Sequence, residues 1–251
     1  MELHYPQKPN GMFILTSNQI EEIATMVLQE FMPWVLECPQ RVDIEQLVAD
    51  GLYLTIRNQM LGLNNAVLGM TAFEDVTGVP CLDDMYQPIE IDLQGGTIII
   101  HSWLQGYKYR ARRRFTIAHE GAHWVLHRSF HSPTNQQFQF RTQRQPYIAC
   151  RSINIECKRH NLISDEDWEE WQADSLAASL LMPLAPFRQI AERLIHDSGR
   201  RFLTEGKVTR DYIEIVEEIS DLFLVSKTAA EIRMKQLGLL KKEHELTFQY
   251  S

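Results

Sequence analysis

Apolar residues recur at helical spacing at Ile20, Ile23, Ala24, Val27, Leu28 and Phe31, behind the N-capping hydroxyls of Thr16 and Ser17, and the run stops at Pro33. This predicts a first helix. A second, short helix is expected over Val42 to Asp50, with Ile44, Leu47 and Val48 turned inward and Gly51 at its end. The pattern then shortens. Leu52 to Ile56 and Ala66 to Phe73 read as strands, and Glu74 to Pro88, with Gly78, prolines and aspartates, reads as turns. Ile89-Glu90-Ile91-Asp92-Leu93 alternates as a half-buried strand does, and Gly95-Gly96 follows at hairpin spacing. Thr97 to Trp103 is therefore expected to return as its partner. Ile98-Ile99-Ile100 leaves two readings of that strand open, an exposed edge that shelves an extended peptide or an interior strand apolar on both faces.

Helical spacing returns at Phe115 to His127 and again at Trp168 to Leu181, the latter behind a Ser164 cap with Asp165, Glu166 and Asp167 in its first turn and Pro183 beyond its end. Between them, Ser132 to Asn161 is polar and weakly patterned, as a long loop with one short element would be. A further helix is expected after Pro186 to about His196, closed by Ser198-Gly199-Arg200. From Asp211 to Gly238 the pattern is helix, short turn, helix, similar to a helix-turn-helix, although Leu224 stands at the turn where glycine is usual.

The chemistry lies in the first of the two later helices. His119 and His123 are four positions apart, so on a helix they lie one above the other and can hold one metal ion between two imidazoles. Glu120, beside the first ligand, is placed to take the proton of a water whose pKa the metal has lowered. A zinc hydrolase usually supplies a third protein ligand and leaves a fourth position for water. His127 is one turn too far along the axis to share an ion with both other histidines. Glu170 and Asp174, again at one-turn spacing, are better candidates: one carboxylate for the metal, the other for the second ring nitrogen of a ligating histidine. Glu170 is assigned to the metal and Asp174 to His119.

In these residues the chain resembles the ImmA/IrrE-type metallopeptidases, in which a Phe-Thr-x-Ala-His-Glu-x-x-His helix is followed by an acidic helix ending in Leu-Leu-Met-Pro. The acidic helix is also similar to the Glu-x-x-x-Asp helix of the gluzincins, which favours Glu170 over Glu169. The likeness is strong from Ile89 to Pro183 and visible to about Leu240, whereas residues 1–88 carry none of the motifs. Gly121-Ala122 departs from the family pattern between the ligands. The resemblance implies a zinc-dependent endopeptidase whose substrate is a regulatory protein, typically a DNA-binding repressor. It also implies that Val225-Ser226 through Arg233-Met234 serves the fold, so direct nucleic-acid binding is not expected.

Composition narrows the setting. With 251 residues, 44% hydrophobic and 23% charged, the chain can bury a real core, and a formal charge of -8 gives no general attraction to polyanions. No signal-peptide core or membrane-length apolar run is present, so a cytoplasmic protein is expected. Four scattered cysteines suit a reducing compartment. Cys150, Cys157 and His160 could offer soft ligands to a second metal, but they lack a tight Cys-x-x-Cys knuckle and read better as buried thiols and a histidine.

Other residues keep two readings. Lys108, Arg110, Arg112, Arg113 and Arg114 precede the histidine helix, either as a solvated face or to grip an acidic substrate or pair with Glu166, Asp167 and Glu169. His127 and His131 are expected to be packed or hydrogen-bonded near the helix end. Tyr107, Tyr147, His101 and His131 are the candidates for stabilising an oxyanion. The expected fold is α+β. A small mixed β-sheet packs on the zinc-binding helix and the acidic second helix within residues 1–200, and a helix-turn-helix-like segment at 201–251 packs on that domain. A DNA-binding regulator with a structural zinc site is the competing expectation, with Lys227, Arg233 and Lys235 toward DNA.

Overall fold

The computed structural model describes residues 3–63, 66–131, 147–151, 163–200 and 202–241. They form an α+β protein that divides into two compact units, Met1–Ile23 with Asp43–Ala177, and Ala24–Val42 with Ala178–Ser251. Two of the boundaries, after Ile23 and after Ala177, fall inside helices. No helix among the described residues is long and apolar enough to cross a membrane.

Helix α1, Ser17–Phe31, begins as its sequence predicts. Thr16 and Gln19 exchange side-chain bonds with each other's backbone N–H, a reciprocal cap that satisfies two donors left over at the helix start. The second helix also forms, as α2, Ile44–Gln46, capped by Asp43. It continues into a wider turn, Leu47–Gly51, in which Leu52 N–H reaches the Leu47 carbonyl at 3.0 Å.

The main sheet has the order β1 (Thr55–Gln59), β5 (Thr97–His101), β2 (Val67–Ala72), β6 (Tyr147–Arg151). Strand β5 runs parallel to β1 and antiparallel to β2, which is antiparallel to β6. The expected strand at Leu52 to Ile56 is therefore displaced toward the C-terminus. Tyr53, at φ 57°, still belongs to the exit from the preceding turn, and pairing starts only where Thr55 N–H meets the Gly96 carbonyl.

The expected hairpin across Gly95-Gly96 does not form. Strand β4, Pro88–Leu93, pairs instead with β3, Val76–Leu82, inside the stretch read as turns. A register shift between Val76 and Val79, with Gly78 at φ +70°, and the Asp83-centred turn account for the turn-like composition around that strand. Gly95 lies where a Cβ would come within 2.9 Å of Glu74 Cα, so the glycines let the chain cross closely over the end of β2.

The β3–β4 ribbon covers one face of the main sheet, burying Met70, Ala72 and Ile99 with Val79, Cys81 and Leu93. Opposed residues of an antiparallel pair share a face, so Gly69, Thr71, Ile98 and Ile100 look the other way, toward helix α3, Arg110–His131. This explains why Ile98, Ile99 and Ile100 are all completely buried. Strand β5 is an interior strand with a neighbour on each side, which rules it out as a shelf for peptide addition. It also ends at His101, where the ring Nδ1 accepts from Trp103 N–H and the chain turns.

Helix α4, Asp165–Leu181, starts behind a second reciprocal cap between Ser164 and Asp167. Helix α5, Leu184–Asp197, begins earlier than Pro186, because proline is tolerated in a first turn that has no N–H acceptors to fill. Strands β7, Leu203–Thr204, and β8, Leu240–Lys241, pair in parallel.

Helix α6, Arg210–Phe223, and α7, Lys227–Gln236, form the expected helical pair, and Leu224 takes the left-handed turn at φ 54°. Arg233 is buried and donates to the Met182 carbonyl at 3.1 and 2.9 Å, closing the end of a neighbouring helix. Lys227 pairs with Glu217, and Lys235 with Glu205 at 2.9 Å. Arg233 is thus used inside its unit, while Lys227 and Lys235 make ion pairs at its surface.

Within that pair the Tyr212 hydroxyl donates to Glu231 at 2.9 Å, and burial first, then Glu231, push its pKa up to about 12. A raised pKa means that the native state holds the proton more tightly than the unfolded chain. Its stabilising share is complete below the usual tyrosine value near 10 and is lost as pH rises through about 12. Tyr212→Phe is expected to cost about 1 kcal/mol at neutral pH and to flatten that alkaline loss, as read by urea unfolding on either side of pH ~10.

Candidate metal centre

Repetition every fourth residue puts His119, His123, His127 and His131 along one face of α3, all buried or nearly so. Helix α4 runs beside that face and presents Glu169, Glu170, Gln172 and Asp174. The Nε2 atoms of His119 and His123 are 2.9 Å apart. Glu170 places Oε2 3.4 Å from His119 Nε2 and Oε1 3.6 Å from His123 Nε2. A tetrahedral ion with bonds of about 2.0 Å separates its donor atoms by about 3.3 Å, so these three donors fit around one cation. His119, His123 and Glu170 therefore could hold a metal ion. The histidines are shut away from water while the Glu170 side chain is 41% exposed, which leaves the cluster open on the carboxylate side.

Asp174 meets His119 as expected: its Oδ1 lies 2.9 Å from Nδ1. A carboxylate accepts only, so Nδ1 carries a hydrogen and Nε2 is the ring nitrogen left to face the cluster. Electrostatics point the same way. Burial pulls the His119 pKa down, yet Asp174 and Glu170 outweigh it and hold the imidazole well above its ordinary value. His123 moves well below, through burial first and then through the charges of His119, His127 and His131. Negative potential is thus concentrated where His119 faces Glu170, and a cation answers it.

Glu120 is fully buried against β2. Its Oε2 accepts from the Thr71 hydroxyl at 2.6 Å, and the same hydroxyl lies 3.1 Å from the Glu120 carbonyl. Gly69 makes the approach possible, because a Cβ there would stand 2.2 Å from Glu120 Oε1. Sequence reasoning missed both Thr71 and Gly69. The available signal was glycine in the middle of an apolar strand, which marks close approach of another group.

His127 and His131 are packed and hydrogen-bonded, as expected, and their partners are specific. His127 Nδ1 faces His123 Nδ1 at 3.0 Å and its Nε2 faces Gln172 Oε1 at 3.1 Å, while His131 Nε2 lies 2.5 Å from Glu169 Oε1. His123, His127 and Glu169 form a second group whose donors could hold a metal ion. Gln172 was not foreseen; a polar residue one turn before the apolar end of an acidic helix carries no signal of its own.

Two members of the basic run have partners outside the acidic trio weighed for them. Arg113 bonds Glu45 at 3.0 Å and Asn58 at 2.6 Å, and Arg112 lies over the Trp103 ring. Asp167 is used by the α4 cap and Glu169 by His131. Among the oxyanion candidates, His101 is occupied by the Gly62 carbonyl and Trp103 N–H, His131 by Glu169, and Tyr107 is 79% exposed in contact with Arg110. The Tyr147 side chain lies outside the described residues, as do Cys157 and His160, and Cys150 is described only as backbone in β6.

Compared with known proteins, the chain matches no family model, and no curated protein matches it.

Proposed function

We propose that this chain is a cytoplasmic zinc-dependent endopeptidase of the ImmA/IrrE type that cleaves an intracellular regulatory protein, such as a DNA-binding repressor. One observation carries the reading: two imidazoles and a carboxylate from separate helices converge on one point, with an acid one residue from the first imidazole and an opening beside Glu170. Two histidines and a carboxylate with an open fourth position are a common catalytic zinc set. Zinc, when bound, supplies Lewis acidity that makes water nucleophilic at neutral pH and polarises a peptide carbonyl.

The chain's own residues do the rest. His119, His123 and Glu170 hold the ion, and Asp174 orients His119. Glu120 takes the proton of the attacking water as the carbon–oxygen bond forms, then delivers it to the departing amine nitrogen as the peptide carbon–nitrogen bond breaks. Thr71 fixes the Glu120 carboxylate in place. The burial of Arg233 supports this reading over a helix-turn-helix regulator, since that cation is unavailable to base edges.

The test uses the purified chain with a repressor encoded by a neighbouring reading frame. About one zinc per chain is expected by elemental analysis. New N-termini should appear in the repressor, vanish with a chelator and return with zinc. A chain that takes up no metal after zinc is added, or cleavage that a chelator leaves intact, overturns the proposal.

A further inference from the structure

A line of hydrogen bonds leads away from His123, on the side opposite the metal donors. It runs from His123 Nδ1 to His127 Nδ1 at 3.0 Å, from His127 Nε2 to Gln172 Oε1 at 3.1 Å, and from Gln172 Nε2 to the Phe13 carbonyl at 2.7 Å. All three side chains in it are completely buried.

Its far end decides every proton in it. A backbone carbonyl can only accept, so the Gln172 amide must turn its NH2 toward Phe13 and its oxygen toward His127. An amide oxygen also only accepts, so His127 carries its hydrogen on Nε2. A neutral imidazole then has a lone pair on Nδ1, and the nitrogen facing it across 3.0 Å must be the donor. His123 is thereby protonated on Nδ1, and its Nε2 lone pair is directed at His119 and Glu170.

We infer that His127 and Gln172, anchored on the Phe13 carbonyl, are positioning residues that hold His123 in its metal-binding tautomer. This rests on the reading of His119, His123 and Glu170 as the zinc ligands, and it gives His123 what Asp174 gives His119. The two ligating histidines are set by unlike devices, a single carboxylate for one and a neutral three-member relay for the other. The His123 lone pair then faces His119 Nε2 across 2.9 Å, beside the Glu170 carboxylate, where an ion would be held.

The relay also brings the N-terminal segment into the site. Phe13 follows a tight turn closed by Gly11 N–H on the Lys8 carbonyl at 2.9 Å. That turn is fastened to the start of α4, where Lys8 pairs with Asp165 at 2.8 Å and stacks over Trp168 and Asn10 bonds Asp165. Residues without any catalytic motif thus fix the end of a chain that terminates at a ligand.

The alternative use of these atoms is a second cation held by His123, His127 and Glu169. It would have to displace the Nδ1 proton of His123, so the two arrangements exclude each other.

Long-range proton–nitrogen correlation spectra of histidine-labelled protein, zinc-loaded and metal-free, decide the matter. Protons on His123 Nδ1 and His127 Nε2 are expected in both samples, and a proton on His127 Nδ1 overturns the relay. The metal-free spectrum keeps this test valid if the chain takes up no zinc, the outcome that defeats the proposed function. Gln172→Met keeps the volume and removes the bonds. The zinc dissociation constant should rise about 10- to 100-fold in a competition titration, with the circular dichroism of the metal-free protein unchanged. Wild-type affinity in the folded variant, or two zinc ions per wild-type chain, overturns the assignment; the wild-type spectra stand if the variant does not fold.

Discussion

Glu120→Gln is expected to abolish peptide hydrolysis while the protein keeps its zinc, and Gly69→Ala to do nearly the same from the neighbouring strand. Glutamine preserves the size of the side chain and a carbonyl oxygen for the Thr71 hydroxyl to donate to, now 2.6 Å from Oε2. It removes the basicity that accepts a proton, a contribution of roughly 10²- to 10⁴-fold in rate. At Gly69 the effect is steric. An added methyl would meet Glu120 Oε1 at 2.2 Å and Thr116 Cγ2 at 2.8 Å, so the carboxylate must leave its seat. The strand cannot yield instead, because β2 is held between β5 and β6. Overpacking of this kind costs about 1–3 kcal/mol of stability, and activity should fall with it by more than the lost folded fraction explains. The measurements are initial rates on the cleaved repressor, zinc content and urea midpoints. Undiminished turnover in Glu120→Gln would remove Glu120 from the mechanism, and undiminished turnover in a folded Gly69→Ala would show that the seat is not needed.

Glu170→Ala is expected to strip the metal from the protein. Glu170 is the donor contributed by the second helix, 3.4 Å from His119 Nε2 and 3.6 Å from His123 Nε2. Without it the ion keeps two imidazoles from one helix and no protein charge in its inner shell, although Asp174 still holds His119. The loss of affinity should exceed the roughly 100-fold that an outer hydrogen-bond partner commands, a loss that Asp174→Ala itself is expected to approach. Competition with a chromophoric chelator measures both. Stoichiometric zinc in Glu170→Ala would transfer the third ligand to another residue, and equal losses in the two variants would undo the distinction between a ligand and its orienting partner.

The parts of the chain that sequence described well are those whose patterns are local. Caps such as Thr16 with Gln19 and Ser164 with Asp167 satisfy backbone donors within one turn, so their helices start where the residues say. The strands fared differently. Pairing is a choice among distant partners, and Gly95-Gly96 was compatible with a hairpin that the β3–β4 ribbon forestalled. The sign was already present in Ile98-Ile99-Ile100, whose burial on both faces requires a cover on each side.

The sequence alone determined which residues pair on each helix, because one-turn spacing places His119 above His123, and Glu170 above Asp174, whatever the rest of the chain does. Only the tertiary structure brought the two pairs together and decided what holds them. Thr71 and Gly69 come from a strand that must first be sorted into the sheet, and Phe13 reaches Gln172 across 159 positions of chain. Such contacts have no period and no spacing to read, since a hydrogen bond depends on where two segments meet in space and not on their separation along the backbone.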